Sequence, residues 1–148
     1  MRKLEDFVNE KLKVSVKHYK PKDLYELRKM VKDAVADDNK ADLNFIDTSL
    51  ITSMNSLFED MDFDGDISNW DVSKVTDMYG MFYDSEFTGE NGDISGWDVL
   101  NVKEMGCMFK DSKFNGDISK WNVSSVKNMK DMFKNCPLSR KKPKWYKE

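Results

Sequence analysis

Four methionines, Met54, Met78, Met105 and Met129, stand 24, 27 and 24 residues apart, and the residues around them repeat in step. One copy reads Phe63-Asp64-Gly65-Asp66-Ile67-Ser68-Asn69-Trp70-Asp71-Val72-Ser73 and runs on through Val75 and Met78 to Met81-Phe82. The last full copy reads Phe114-Asn115-Gly116-Asp117-Ile118-Ser119-Lys120-Trp121-Asn122-Val123-Ser124, with Val126, Met129 and Met132-Phe133 in the same places. Between them, the copy that begins at Phe87 carries Thr88-Gly89-Glu90-Asn91 where the others have a single residue, which accounts for the longer spacing. An earlier, decayed copy over Asp47 to Phe58 keeps the spacing, with Ile46 in place of the tryptophan. A unit this short cannot bury its own apolar set, so neighbouring units must stack and share one continuous core.

The apolar set of one unit is Ile67, Trp70, Val72, Val75, Met78, Met81 and Phe82. Much of it recurs every third residue, a spacing that suits neither a long helix nor a long strand. It predicts a chain that turns corners between short elements: a strand around Val75 to Met78 and a helical turn around Tyr79 to Tyr83. Phe-Asn/Asp-Gly-Asp reads as a turn, because glycine permits positive φ and Asp or Asn can bond its own backbone. Residues 1–42 carry no repeat. Leu4, Phe7, Val8 and Leu12 predict one short amphipathic helix; Leu24, Leu27, Met30, Val31 and Val35 predict a second, opening after Pro21 and stopping at Asp37-Asp38-Asn39. The chain thus divides into a helical N-terminal cap over 1–42, a repeat region over 43–136 and a basic C-terminal cap or tail over 137–148. In that tail Pro137 breaks the pattern, and Trp145 and Tyr146, after Pro143, are placed to fold back over Trp121 and Phe133.

The string Asn115-Gly116-Asp117-Ile118-Ser119-Lys120-Trp121-Asn122-Val123-Ser124, continued by Val126, Met129 and Met132-Phe133, resembles the repeat of BspA-like leucine-rich-repeat surface proteins. Those are bacterial proteins built from tandem copies of such a unit, and the likeness here covers residues 43–136. It implies an α/β, leucine-rich-repeat-like solenoid of about four turns with short parallel strands, here behind the N-terminal helical cap. For the better-known members it also implies adhesion or partner binding at a cell surface, and it carries no catalytic residues to transfer. This chain is shorter than such proteins and opens Met1-Arg2-Lys3-Leu4-Glu5-Asp6, with charges where a signal peptide needs an apolar run. A cytoplasmic location is therefore expected, and short leaderless proteins of this kind also point to a phage-encoded origin.

Composition narrows the function classes. Four Trp, five Tyr, nine Phe and ten Met are too many large apolar groups for a disordered chain, despite 34% charged residues. No run approaches the length of a membrane span. Cys107 and Cys136 fall at different positions of the repeat, which predicts two free thiols rather than a disulfide framework. The net charge of −3 conceals an asymmetry: residues 43–86 hold 10 acids against the single Lys74, while the tail holds Arg140, Lys141, Lys142, Lys144 and Lys147 against Glu148.

No catalytic constellation emerges. His18 is the only histidine and lies outside the repeats, so no Ser-His-Asp or Cys-His set can form within them. No glycine-rich phosphate loop is present, and no cofactor is expected. The stretch Asp60 to Asp71 matches the first half of an EF-hand loop, with acids at loop positions 1, 3 and 5, Gly65 and Ile67, but ends in Asp where that loop needs Glu. The last copy has Lys113 and Asn122 at two of those places, and the repeat itself explains the glycine and isoleucine, so no metal is expected. The tryptophan, phenylalanine and methionine positions of the repeat recur too strictly to be anything but core; Met61 falls outside the pattern, and Tyr79 and Tyr83, whose equivalents are polar, are the candidates for exposed aromatics.

The expectation is a monomeric, non-enzymatic module that binds a protein partner. The surface assigned to binding is either the acidic half, with Asp60, Asp62, Asp64 and Asp66, or the strand face, with the varying positions Asn69, Lys74, Asp77 and Tyr79. Two alternatives remain: a phage or mobile-element inhibitor that uses the acidic half to occlude a basic, nucleic-acid-binding host protein, and a structural or adhesive part of a larger assembly. Nucleic acid is not expected as a direct partner, because the body is acidic and only the tail could meet phosphates.

Overall fold

The computed structural model describes residues 19–148. The expected helix over Leu4 to Leu12, and His18, lie outside the described residues. Helix α1 spans Leu24–Asp37. Asp23 caps it by accepting a 2.9 Å bond from Glu26 N, and the Glu26 carboxylate accepts one from Lys22 N at 2.8 Å. Leu27, Val31 and Ala34, one stripe at helical spacing, are buried in the same apolar cluster as Ile51 and Met54 of the first unit. The Arg28 guanidinium donates to the Asn55 carbonyl at 2.8 Å, fixing the helix to that unit. No helix among the described residues is long and apolar enough to cross a membrane.

Each unit forms one coil lying directly on the next. The backbone N–H groups of Met54, Met78 and Met105 donate to Asp77, Glu104 and Asn128, each the residue before the following methionine, at 2.8 to 2.9 Å. Further along the same coil, Phe58, Phe82 and Phe109 donate to Met81, Met108 and Met132 of the next coil. This register places identical residues over one another and builds columns. Phe58, Phe82, Phe109 and Phe133 stack nearly parallel with centroids 5.3, 5.4 and 6.0 Å apart. Phe63, Phe87 and Phe114 form a second column beside it, and Phe109 and Phe114 come within 4.2 Å across the two. The indoles of Trp70, Trp97 and Trp121 are buried, and each satisfies its N–H on the carbonyl of Leu43, Ile67 or Ile94 in the coil before.

The expected α/β, leucine-rich-repeat-like solenoid with short parallel strands is overturned. Among the described residues, strand-type pairing is confined to four isolated parallel bridges, Asp42–Asp66, Ser53–Asp77, Asp77–Glu104 and Glu104–Asn128. The strand expected over Val75 to Met78 reduces to one residue, Asp77, bridged to Ser53 on one side and Glu104 on the other, and Tyr79 to Tyr83 is a run of hydrogen-bonded turns, not a helical turn. The physical reason is a chain that reverses before a strand can extend. In every coil the residues two and six places after the methionine take positive φ: Ser56, Gly80, Cys107 and Asp131, then Asp60, Asp84, Asp111 and Asn135, all between +52° and +59°. Each lies third in a tight turn, as in Met81 N to Met78 O and Ser85 N to Phe82 O. A left-handed residue costs a non-glycine chain about 1–2 kcal/mol. Asp and Asn tolerate it best and fill five of the eight places.

The other corners are held by side chains. Asp66, Asp71 and Asp77 each accept from the backbone N–H two residues on, Ser68, Ser73 and Tyr79, at 2.8 to 3.0 Å. Asp93, Asp98 and Glu104 do the same in the next coil, and Asp117, Asn122 and Asn128 in the one after. These are Asx-type turns, and they explain much of the recurrent acid in the repeat.

The stack ends in a fifth, degenerate copy. Leu138 to Trp145 lies 24 residues beyond Phe114 to Trp121, and Trp145 stacks on Trp121 at 6.4 Å while its indole N–H reaches the Ile118 carbonyl at 2.9 Å. Tyr146 meets Phe133 edge-on at 5.1 Å. What fails is the glycine. At Gly65 and Gly92 an added Cβ would lie 2.0 and 2.8 Å from backbone atoms of the preceding coil, so only glycine can pass there. The fifth copy has Arg140 at that place, and the chain swings out as a 3-10 turn over Pro137–Arg140.

Candidate interaction surface

With core and corner positions accounted for, the surface that remains is a set of columns running along the stack. The proposed binding residues do not form one site. Asp64 is held inward: its carboxylate accepts from Thr88 N and Thr88 Oγ1 at 2.8 and 2.7 Å, and its carbonyl from Asn91 Nδ2 at 2.7 Å, which anchors the inserted segment. Asp66 and Asp77 cap corners, and Asp77 also takes Asn55 Nδ2 at 3.1 Å. Asp62 accepts from Asn39 Nδ2 at 3.1 Å near the end of α1. Asn69 is exposed, its backbone bonded to the Asn44 side chain, and Lys74 lies exposed on a different corner. Three of the carboxylates that an EF-hand reading would use, Asp62, Asp64 and Asp66, therefore already have protein partners. Among the described residues, no three His, Cys, Asp or Glu side chains are grouped to hold a metal ion.

Asp60 and Tyr79 border two neighbouring clefts that share Glu59. Tyr79 is 41% exposed and borders a shallow groove of about 150 Å³ with Glu59, Gly80, Tyr83, Cys107 and Lys110. The Lys110 ammonium lies 5.5 Å over the Tyr83 ring. Hydrogen bonding with the Cys107 thiol, and the charge beside it, push the Tyr79 phenol above its ordinary range. Glu59 and Asp60 also border a second cleft, of about 260 Å³, against Arg28 and Lys32 of α1. The acidic half thus carries cations from both sides. Asp60 hydrogen-bonds the Asp84 carboxyl of the next coil and holds it above the usual carboxylate range, with burial and the Asp60 and Asp111 charges adding to the effect. The Cys136 thiol is buried, which raises its pKa, and Cys107 is half-buried; both are free.

The sequence reading missed the helix contribution of Arg28 and Lys32, and missed Glu59, Cys107 and Lys110 around Tyr79. For Glu59, Cys107 and Lys110 a signal was present: each falls at a place in the unit where the copies differ in charge or size, as with Lys110 against Glu59, Tyr83 and Lys134.

The corner aspartates set a pH dependence. The hydroxyl and N–H of Ser49 and Ser73 hold Asp47 and Asp71 below 3.8, the value of a free carboxyl, against a small opposing effect of burial. For Asp66 burial opposes ionisation, and the bonds from Ser68 and Asn44 together more than offset it. A lowered folded pKa contributes stability that is complete above 3.8 and disappears as pH falls through the folded value. The raised Asp84 has the opposite sign, contributing stability present below 3.8 and lost as pH rises. Asn122 occupies the Asp71 position in the last copy and makes the same turn. Asp71→Asn should therefore keep the corner, change neutral stability by less than about 1 kcal/mol, and flatten the acid limb. Urea midpoints from about pH 7 to about pH 3 measure this, and a variant with an unaltered acid limb would refute the assignment.

No curated protein and no solved structure matches this chain. A match over residues 9–145 takes in the repeats, most of what precedes them and the degenerate fifth copy as far as Trp145, and it shows that the chain belongs to the family described as Mycoplasma protein of unknown function, DUF285.

Proposed function

We propose that this chain is a non-enzymatic protein-binding module of the BspA-like kind, which engages its partner through the groove around Tyr79. The observation that carries this reading is the exposed Tyr79 ring on a backbone that cannot move away. Asp77 accepts from Tyr79 N, and the Tyr79 carbonyl accepts from Ser56 N in the coil before. Tyrosine ordered in advance loses little conformational freedom on binding, and aromatic residues flanked by charge dominate interface energies. Lys110 and Glu59 at the rim supply opposite charges that set orientation.

The test is capture of partners by the tagged chain from lysate of the source cells, followed by affinity measurement with the purified partner. Tyr79→Ala should weaken that complex by about thirtyfold, the effect of losing about 2 kcal/mol at an interface centre. Thermal unfolding should be unchanged, since the ring lies outside the core. Failure to capture a stoichiometric partner at either low or high salt, or an affinity indifferent to Tyr79→Ala and Tyr83→Ala together, would overturn the reading.

A further inference from the structure

The two ends of the stack are unlike, and each is unfinished in a way that complements the other. At the far end, the chain that swings out at Arg140 leaves a groove of about 670 Å³ between the last full coil and the tail. Asn115 to Ser119 form one wall, and Leu138 with Lys141 to Lys144 the other. Against Lys141, Lys142 and Lys144 stand two carboxylates: Asp117, held ionised by Ser119 with help from Lys120 and Lys141, and the exposed Glu148, 3.7 Å from Lys142 Nζ. In the two coils before, the same turn is packed against a following coil, and here it faces the groove. Coverage of the last full coil is also incomplete. Val123, Val126 and Met129 are only half-buried, whereas Val72, Val75 and Met78, and Val99, Val102 and Met105, are buried.

At the near end, the last turn of α1 and Asp62, at the junction of the first two coils, enclose a cleft of about 500 Å³ lined by Val35, Ala36, Asp37, Asp38, Asn39 and Asp62. No basic residue lies in the last turn of α1, so the negative end of the helix dipole adds to three carboxylates. Asp38 and Asp62 each spend one oxygen on a local bond, to Lys40 N and Asn39 Nδ2, and Asp37 is exposed. One molecule therefore presents carboxylates and a few apolar atoms where its stack begins. It presents lysines and half-covered apolar side chains where its stack ends.

We propose that copies of this chain associate head to tail, the lysine-lined groove at the end of one stack receiving the carboxylate-lined start of the next. Such a contact uses two different surfaces, so it leaves one of each kind free and extends into open chains rather than a closed dimer. Its strength comes from electrostatic complementarity at exposed charges, which salt weakens. The occupant is a second copy because this chain itself carries the matching acidic cleft.

Sedimentation of the full chain over a range of concentrations, at low and at high salt, tests this. The mass should rise with concentration at low salt and return to that of one chain at high salt. Asp37→Lys with Asp62→Lys, or Lys141→Glu with Lys144→Glu, should each weaken association by more than about tenfold, because like charges then face each other. Mixing the two variants should restore it, since each supplies the surface complementary to the other. Thermal unfolding of each variant checks that it is folded. A single-chain mass at every concentration and salt overturns the proposal, even if the groove then takes an added acidic peptide or nucleic acid. Association that ignores both charge reversals, or a mixture that stays monomeric, overturns it as well.

Discussion

Phe109→Ala should destabilise the fold by about 3–5 kcal/mol, enough to lower the unfolding temperature by about 10 °C or more in a domain of this size. Phe109 is fully buried within one phenylalanine column, where it packs against the other. It stacks on Phe82 at 5.4 Å and on Phe133 at 6.0 Å, touches Phe114 at 4.2 Å, and lies tilted against Trp121 at 6.4 Å. Removing the ring breaks one column, strips Phe114 of its neighbour in that column, and opens a cavity that the coils cannot collapse to fill. Their separation is set by backbone bonds on either side, Phe109 N to Met132 O and Phe82 N to Met108 O. A further consequence distinguishes a stack from a globular core. Stability in a stack resides in contacts between neighbours, so the coils after Phe109 should lose hydrogen-exchange protection before those preceding Phe82. Thermal unfolding by circular dichroism measures the first effect, and a loss under about 1 kcal/mol would contradict the column description.

Gly65→Ala should be nearly as damaging, although it adds a single methyl group. The new Cβ would sit 2.0 Å from the Ala41 carbonyl oxygen and 2.9 Å from the Lys40 carbonyl carbon, and both are backbone atoms that cannot rotate aside. The first two coils are joined at that point by Asp64 N to Asn39 O and Asp66 N to Ala41 O. Relief of the overlap requires these bonds to stretch, so a cost of about 3 kcal/mol is expected. Gly96→Ala provides the control: nothing lies within 4 Å of its added Cβ, and a change within about 0.5 kcal/mol should result. Comparable urea midpoints for the two variants would refute close coil approach at Gly65.

Much of this architecture was legible in the residues. The methionine spacing and the Trp and Phe positions specify stacking, because a short unit with that much apolar surface has no other way to bury it. The residues assigned to the core, Ile67, Trp70, Val72, Val75, Met78, Met81 and Phe82, are all buried. The local conformation was misread. An apolar spacing near three was resolved into a short strand and a helical turn, whereas the chain makes successive turns with positive φ and leaves single bridges. Asp60, Asp84, Asp111 and Asn135 at one place in four copies are a sign of that left-handed position, and it was legible. The fifth copy was legible too, from Trp145 standing 24 residues after Trp121, but Arg140 and Lys141 in place of Gly116 and Asp117 disguise it.

The proposed site shows where sequence reasoning stops. A row of aspartates in sequence looks like a charged patch, and only the fold separates those spent on turns, Asp66 and Asp77, or on the insertion, Asp64, from an exposed one such as Asp60. Whether a carboxylate faces solvent or its own backbone depends on hydrogen bonds that spacing along the chain does not encode. By itself the sequence determined that the units stack, which residues make the core and how charge is shared along the chain, since burial and charge belong to residue type. Tertiary structure alone decided what meets across coils 24 to 27 residues apart: Tyr79 beside Cys107, Asp60 against Asp84, Arg28 on the first coil, and the groove that opens where glycine gives way to Arg140. Those contacts follow from register and close approach, which exist only once the coils are laid on one another.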